Sequence, residues 1–311
     1  MLCLPRLSPA RSPLRQLNAR ARVFVASYGS DSNPCTFGSP CKTFQHAHDV
    51  VDAGGEVTAI DSAGFGPINI TKAVTITSPD GVEAGIVPPA NGNAITINAG
   101  PTDEVQLRVL TIDGSGTAAN GIVLNSGAGI TVTNCVVQNF VPGSGNGILL
   151  QPTSGLSFII TNTLLSRNGA YGLYYHPTSG TPAAYGVIDH VIATDNFNGL
   201  AFDASAVSGA STSVAISDSI ASNNPGSGIL SSLISKFDDH ISIENSRMSG
   251  NGSGITAEGG NGRVYVGRST LIGNTAGIND FNGGVATFGD NHIVGNGTDF
   301  PGLIPFPIGS N

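Results

Sequence analysis

His176, Asp203 and Glu258 carry side chains of the kind that move protons in general acid–base chemistry. They stand 27 and 55 residues apart in the sequence, too far to meet through a helical turn or a hairpin. They share a site only if the chain returns to the same place at a regular interval. A histidine and an aspartate brought together in that way can share a hydrogen bond, the carboxylate fixing the imidazole tautomer and raising its basicity. A second carboxylate further along would supply the partner that acid–base work needs.

The interval exists. The stretch ISIENSRMSGNGSGI, from Ile241 to Ile255, is restated as ITVTNCVVQNF from Ile130 followed by NGILL, as SVAISDSIASNN from Ser213 followed by SGILS, and as RVYVGRSTLIGN from Arg263 followed by AGIND. The glycine ahead of each apolar residue falls at Gly121, Gly147, Gly172, Gly199, Gly228, Gly254 and Gly277, in steps of 26, 25, 27, 29, 26 and 23 residues. Steps this short, each holding three alternating strands, suit one turn of a solenoid and not a propeller blade or a helix pair. Stacked turns bring equivalent residues to about 4.8 Å from one another.

Strand alternation then assigns the faces. With Ile148, Leu173, Leu200, Ile229 and Ile255 inside, the residue three further on points out: Gln151, His176, Asp203, Ser232 and Glu258. One position earlier on the outer face come Leu149, Tyr174, Ala201, Leu230 and Thr256. The catalytic candidates are therefore His176, Asp203 and Glu258, and Gln151, Tyr174 and Ser232 are the candidate substrate-binding neighbours. At the bend between strands recur Asn134, Asn162, Asp189, Asp218, Asn245, Arg268 and Asp290, expected to be left-handed corner residues that stack as a side-chain ladder.

This pattern, from about Arg22 to Phe300, resembles the right-handed parallel β-helix superfamily that includes pectate lyases, polygalacturonases and alginate-modifying enzymes. The resemblance implies an all-β chain forming a single right-handed parallel β-helix of about nine turns, with an N-terminal capping strand and a short helix. It also implies a working surface on the outer face of the strand that follows each glycine step. Glu258 lies two turns beyond Asp203, roughly 10 Å by the strand spacing, close to the carboxylate separation of inverting glycoside hydrolysis. The same comparison subtracts. The five outward positions hold no basic residue of the kind pectate and alginate lyases use, and the Gly-His-Gly, Arg-Ile-Lys and Asp-Pro-His motifs of other members are missing.

The reading is thus an extracellular or periplasmic β-helix protein that binds a polysaccharide or cell-surface glycan along its long outer sheet. The alternative is a polysaccharide hydrolase or lyase using the His/Asp/Glu line. No cofactor is expected, and metal-ligand spacings, nucleophile motifs and phosphate loops are absent from the repeats. Monomer and homo-oligomer stay open.

The composition fits a stack of short strands and turns: Gly 43, Pro 18, no Trp, and 11% charged residues. Arg6, Arg11, Arg15, Arg20 and Arg22 account for five of the 13 basic residues, and no acid precedes Asp31. The remainder of the chain carries 8 basic against 21 acidic residues, a balance of −13 that disfavours nucleic acid and anionic membrane as partners. No apolar run is long enough to insert into a membrane.

Residues 1–21 are expected to form a disordered basic arm containing Cys3, without the apolar core of a signal peptide. Residues 22–300 form the β-helix, with 22–56 as its N-terminal cap, and 301–311 a proline-rich tail folded over the last turn or against another subunit. In the cap, Thr43 can start a helix with Phe44, Ala47, Val50 and Val51 on one face, while His46 and His48 are read as surface residues. Cys35 and Cys41 bracket a turn through Gly38 and Pro40; a disulfide there would imply a secreted or periplasmic location, and two free thiols are the other reading. Cys135 is expected to pack inside as a small hydrophobe. Lys236, Phe237, Asp238, Asp239 and His240 read as a solvated loop.

Overall fold

The computed structural model describes residues 20–141, 145–207, 209, 211–233, 239–259, 263–282, 284–301 and 306–307. The short alternating runs stack in parallel into three sheets, of 12, 9 and 10 strands, and every pairing between strands is parallel. Strands from one turn feed the three sheets in sequence, so the chain coils as a right-handed parallel β-helix. From Asn120–Ser126 to His292–Ile293 each successive turn contributes a strand to all three sheets. The regular repeat therefore amounts to about seven turns, slightly fewer than the nine expected. The N-terminal turns, with two- and three-residue strands, are less regular.

The inward residues explain why the turns stack. Ile243 pairs with Ile216 and Val266 in adjacent turns, and all three are buried. Burying one such aliphatic side chain contributes roughly 1.5–3 kcal/mol, so a continuous apolar column is the main source of cohesion along the rod. The glycine steps have a steric cause. A Cβ built on Gly172 would lie 2.7 Å from the Gly199 carbonyl oxygen, and one on Gly199 would lie 2.5 Å from that of Gly228. The same collision recurs at Gly121, Gly147, Gly228, Gly254 and Gly277, at 2.4–2.8 Å from a carbonyl of the following turn. Only glycine permits this closeness.

The asparagine ladder exists, but at the other corner from the one anticipated. Asn168, Asn196, Asn224, Asn251 and Asn274 are buried and each Nδ2 donates to the Oδ1 of the next, ending on Asn296, at 2.9–3.4 Å. Each is fully engaged: Asn224 Nδ2 also donates to the Ala193 carbonyl at 3.1 Å, and its Oδ1 accepts the Asn196 backbone N–H at 3.0 Å. At the bend where the ladder was expected, Asn134, Asn162, Asp218, Asn245 and Arg268 are left-handed with φ of 46–54°. In that row His190, with φ 52°, takes the place assigned to Asp189, which is the last residue of its strand. Behind this corner a second buried row runs through Ser219, Ser246 and Ser269, each hydroxyl accepting a backbone N–H from the preceding turn at 3.1–3.2 Å.

The cap forms as expected in outline. Arg22–Val25 pairs with Gly55–Ala59, and the helix Phe44–Val50 lies against them, its first turn capped by the Thr43 hydroxyl accepting from the His46 N–H at 3.1 Å. Cys35 and Cys41 are joined in a disulfide. His48 departs from expectation. It is buried, because it shares the Phe44 and Ala47 face, and its Nε2 accepts the Thr71 N–H at 3.2 Å. Burial holds its pKa below the ordinary 6.5. Cys135 is buried and unpaired, as expected, and burial pushes its thiol up to about 11.

At the far end Phe306–Pro307 adds a two-residue strand beside Val285–Thr287. The rest of the tail, the arm with Cys3, and Lys236, Phe237 and Asp238 lie outside the described residues. Asp239 does not belong to a solvated loop: it is fully buried, and its Oδ1 accepts the Thr212 N–H at 2.6 Å. His240 opens a strand, with Nε2 2.8 Å from the Ser213 hydroxyl. Among the described residues no helix is long and apolar enough to cross a membrane.

Candidate functional site

The nine-stranded sheet places the candidate residues in one line. Its registers pair Leu173 with Leu200, Leu200 with Ile229, and Ile229 with Ile255. Asp203 consequently sits directly beside Ser232 on the next strand. The register that sets Ile148 inside also carries back to Ile122 and Ile95, and forward to Ile278. One outward row therefore runs Asn98, Asn125, Gln151, His176, Asp203, Ser232, Glu258, Phe281.

The first half of this row is a second, outer amide ladder. Asn98 Nδ2 donates to Asn69 Oδ1 at 2.9 Å, Asn125 Nδ2 to Asn98 at 2.8 Å, and Gln151 Nε2 to Asn125 at 2.6 Å. At His176 the ladder breaks. His176 Nδ1 lies 3.4 Å from Asp203 Oδ2, an ion-pair distance, yet this nitrogen is closed off from solvent and makes no hydrogen bond. The contact is electrostatic and misaligned, not the shared hydrogen bond that the turn spacing predicts. Asp203 is held by other donors: Tyr174 OH donates to Oδ2 at 3.1 Å and the Ser205 N–H to Oδ1 at 2.9 Å. The Ser232 hydroxyl donates to Glu258 Oε2 at 2.8 Å. Gln151 is therefore tied into the outer ladder, Tyr174 and Asp203 form one unit, and Ser232 and Glu258 a second.

Aromatic rings stand beside the carboxylates. Tyr171 and Tyr174 stack at 4.0 Å between ring centres and 11° between planes, and Tyr174 stacks on His176 at 4.8 Å and 10°. Burial first, and the charge of Asp203 second, push both phenols above their ordinary pKa, so the rings keep their protons and act as neutral donors. Phe281, 57% exposed, closes the row beyond Glu258. Tyr171 and Phe281 were missed in the sequence. Phe281 obeys the same rule of three residues past the inward isoleucine, and Tyr171 is the residue just ahead of the glycine step.

Along the row His176 and Asp203 are partly buried, Ser232 is buried and Glu258 is exposed. Surface depressions over Glu104, Gly129, Ser157 and Ile159 and beside Val109 and Asn134 are lined by other residues. At an exposed corner Asp189, His190 and Asp218 each bring one ligand-type atom within 4.8 Å of the others. These groups have partners already: Ser217 donates to Asp189 at 2.6 Å, His190 Nδ1 lies 2.7 Å from Asp189 Oδ2, and Asn245 donates to Asp218.

Three stacked parallel sheets, a glycine column and a buried asparagine row define a right-handed parallel β-solenoid. Residues 120–298, more than half of the chain, match the family described as "Right handed beta helix region", and the chain belongs to it. No curated protein matches it in sequence. Among solved structures it is similar to pectate lyase Pel9A, at 15% identity and TM-score 0.50, with 90% of this chain and 74% of that one covered. It is similar also to the A-module of an Azotobacter vinelandii mannuronan C-5 epimerase, at 15% identity and TM-score 0.51, with 83% of this chain and 91% of that one covered. A rhamnogalacturonan lyase gives 14% identity and TM-score 0.50, with 86% and 72% covered. At such identities the likeness is one of fold.

Proposed function

We propose that this chain binds a polysaccharide along the outward face of the nine-stranded sheet, and that it works outside the cytosol. The observation that carries the reading is the Tyr171–Tyr174–His176 stack set against Asp203. Tyr174 lies between the other two rings, so the outer faces of Tyr171 and His176 are the ones that offer apolar surface to the C–H side of a sugar, and an anchored carboxylate accepts from its hydroxyls. A row with one residue per turn suits a chain-like ligand better than a compact one. The fold relatives named above, a pectate lyase, a mannuronan epimerase and a rhamnogalacturonan lyase, are named for polysaccharide substrates, which supports the reading. The disulfide at Cys35 and Cys41 fits an oxidising compartment, and hence export.

Hydrolysis is the second reading. His176 Nδ1 has no hydrogen bond, and Asp203 and Glu258 stand two turns apart, roughly 10 Å between backbones. An inverting hydrolase uses one carboxyl group to protonate the leaving oxygen and another to activate water from the opposite face. One experiment tests both. Purified protein is run in affinity electrophoresis against a polysaccharide panel and assayed for release of reducing ends. Retardation by at least one polysaccharide that is lost in Tyr174→Ala supports binding; turnover lost in Glu258→Gln with retardation kept adds catalysis. No retardation by any member refutes the reading.

A further inference from the structure

The outward rows of the nine-stranded sheet are unusual in the sign of their charge. From Asn69 to Phe281, among the described residues, these rows hold no Lys and no Arg. Their full charges are the carboxylates of Asp203 and Glu258, and His176 is the one other titratable base on them. Asp203 is only 19% exposed and His176 27%, so water screens that pair less than it screens Glu258, which is exposed.

We propose that the strip takes a carboxylate-free glycan and turns uronate polymers away, an inference that rests on the polysaccharide-binding reading above. The carboxylates are recognition groups here. Each oxygen of Asp203 already accepts one hydrogen bond, from Tyr174 or from Ser205, and keeps a further lone pair. Glu258 is held from one side by Ser232 in the same manner. Such anchored acceptors suit the hydroxyl donors of a neutral sugar. A uronate chain laid along the row would instead bring its own carboxylates within a few ångströms of Asp203 and Glu258, with no fixed cation among the described row residues to offset them. Like charges juxtaposed in this way discriminate against the wrong ligand, on the order of tenfold or more in affinity. The aromatic ends agree with this assignment. Tyr171 and Tyr174 flank one carboxylate and Phe281 flanks the other, about four strand spacings, roughly 19 Å, from the His176 strand to the Phe281 strand. Apolar faces at both ends with acceptors between them match an extended chain of uncharged pyranose rings.

The test is titration calorimetry of the full chain at low salt with cellohexaose, xylohexaose and mannohexaose as neutral probes, and hexagalacturonate as the charged one, with a chelator and again with added calcium. The expected result is that at least one neutral hexasaccharide binds, and that hexagalacturonate binds at least tenfold more weakly. The double variant Asp203→Asn, Glu258→Gln should narrow that gap about tenfold. A second variant, Asn279→Lys, adds a cation to the outward row beside Thr256 and should raise hexagalacturonate affinity even if the double variant folds poorly. Hexagalacturonate binding as tightly as the neutral probes, with or without calcium, overturns the inference and leaves the binding reading standing. A neutral probe whose preference is untouched by both variants overturns it too. If no probe of either class binds, the polysaccharide reading itself fails.

Discussion

Two columns of polar side chains run along this molecule, one inside it and one on its outer face, and the same stacking of turns builds both. In the inner column, Asn168 to Asn296, each amide gives to the next and takes a backbone N–H. In the outer column Asn98, Asn125 and Gln151 each donate instead to the amide of the turn before, back to Asn69, and then the pattern gives way to His176, Asp203, Ser232 and Glu258. An inner amide such as Asn224, with both Nδ2 hydrogens and both Oδ1 lone pairs engaged, has no capacity left for a ligand. Where the row changes from amides to ionisable groups, a nitrogen is left without a hydrogen bond and carboxylate lone pairs are left open. Structure and candidate function thus differ by how completely a row of side chains satisfies itself.

The largest expected effect falls on the inner column. Asn224→Ala removes the donor to Asn251 and to the Ala193 carbonyl, and strands the Asn196 groups that pointed at it. Chemical denaturation should show a loss of about 3 kcal/mol, since buried groups left without partners cost about 1–3 kcal/mol each. A loss under 1 kcal/mol would mean that the inner and outer columns are energetically alike. Next come His176→Ala and Asp203→Ala, which should lower affinity for the bound polysaccharide at least tenfold while moving stability by about 0.5 kcal/mol. Equal binding by parent and both variants would make this stretch a solvated wall. Asn125→Ala, in the self-satisfied outer stretch, should shift stability by no more than about 0.5 kcal/mol and leave binding within twofold.

The smallest effects are in the pH dependence, where two histidines away from the strip extend the contrast between inside and outside. His48 is buried and its pKa lies below 6.5, chiefly through burial. The unfolded chain then binds the extra proton first, so stability falls as pH drops below about 6.5 towards the folded pKa, and His48→Gln should flatten that limb. His190 is exposed, and the hydrogen bond to Asp189 raises its pKa. Its contribution is present below 6.5 and fades as pH rises through the folded value. Asp189 is depressed by Ser217 first and His190 second, so its share is lost as pH falls through its own folded pKa. A histidine NMR titration placing His190 below 6.5, or His48 above it, would contradict both assignments.

The glycine steps made the fold legible, because only glycine survives where a carbonyl oxygen of the next turn lies 2.4–2.8 Å from its Cβ position. The line of outward residues followed from alternation alone, and the pairings of Leu173, Leu200, Ile229 and Ile255 agree with it. What sequence did not separate were the two corners. Asn and Asp favour left-handed bends and also stack as amide rows, and both uses occur once per turn. The inner row carries a signal in hindsight: an asparagine three or four residues ahead of each glycine from Gly172 to Gly277. His48 was misjudged because, four residues past Phe44, it falls on the buried face of the helix while His46 does not. The ring stack was half visible, as Tyr174 alone, since a contact at 4.0 Å depends on rotamers that a pattern of faces does not fix.

The closeness of the glycine column has a consequence for how the length of this molecule can change by descent. Turns held so near each other share one gauge, and material enters or leaves the rod most easily as a complete period. Excising Gly172 to Asn198, 27 residues, would lay the Gly147 strand on the Gly199 strand with the glycines still aligned. Gln151 would come to rest beside Asp203, His176 would vanish together with Tyr174 while Tyr171 stayed, and the strip would shorten by about 4.8 Å. A duplication of the same period would instead repeat the Tyr174–His176 pair. Reach along a ligand is therefore inherited as an integer, while the chemistry of each rung is free to drift by point substitution.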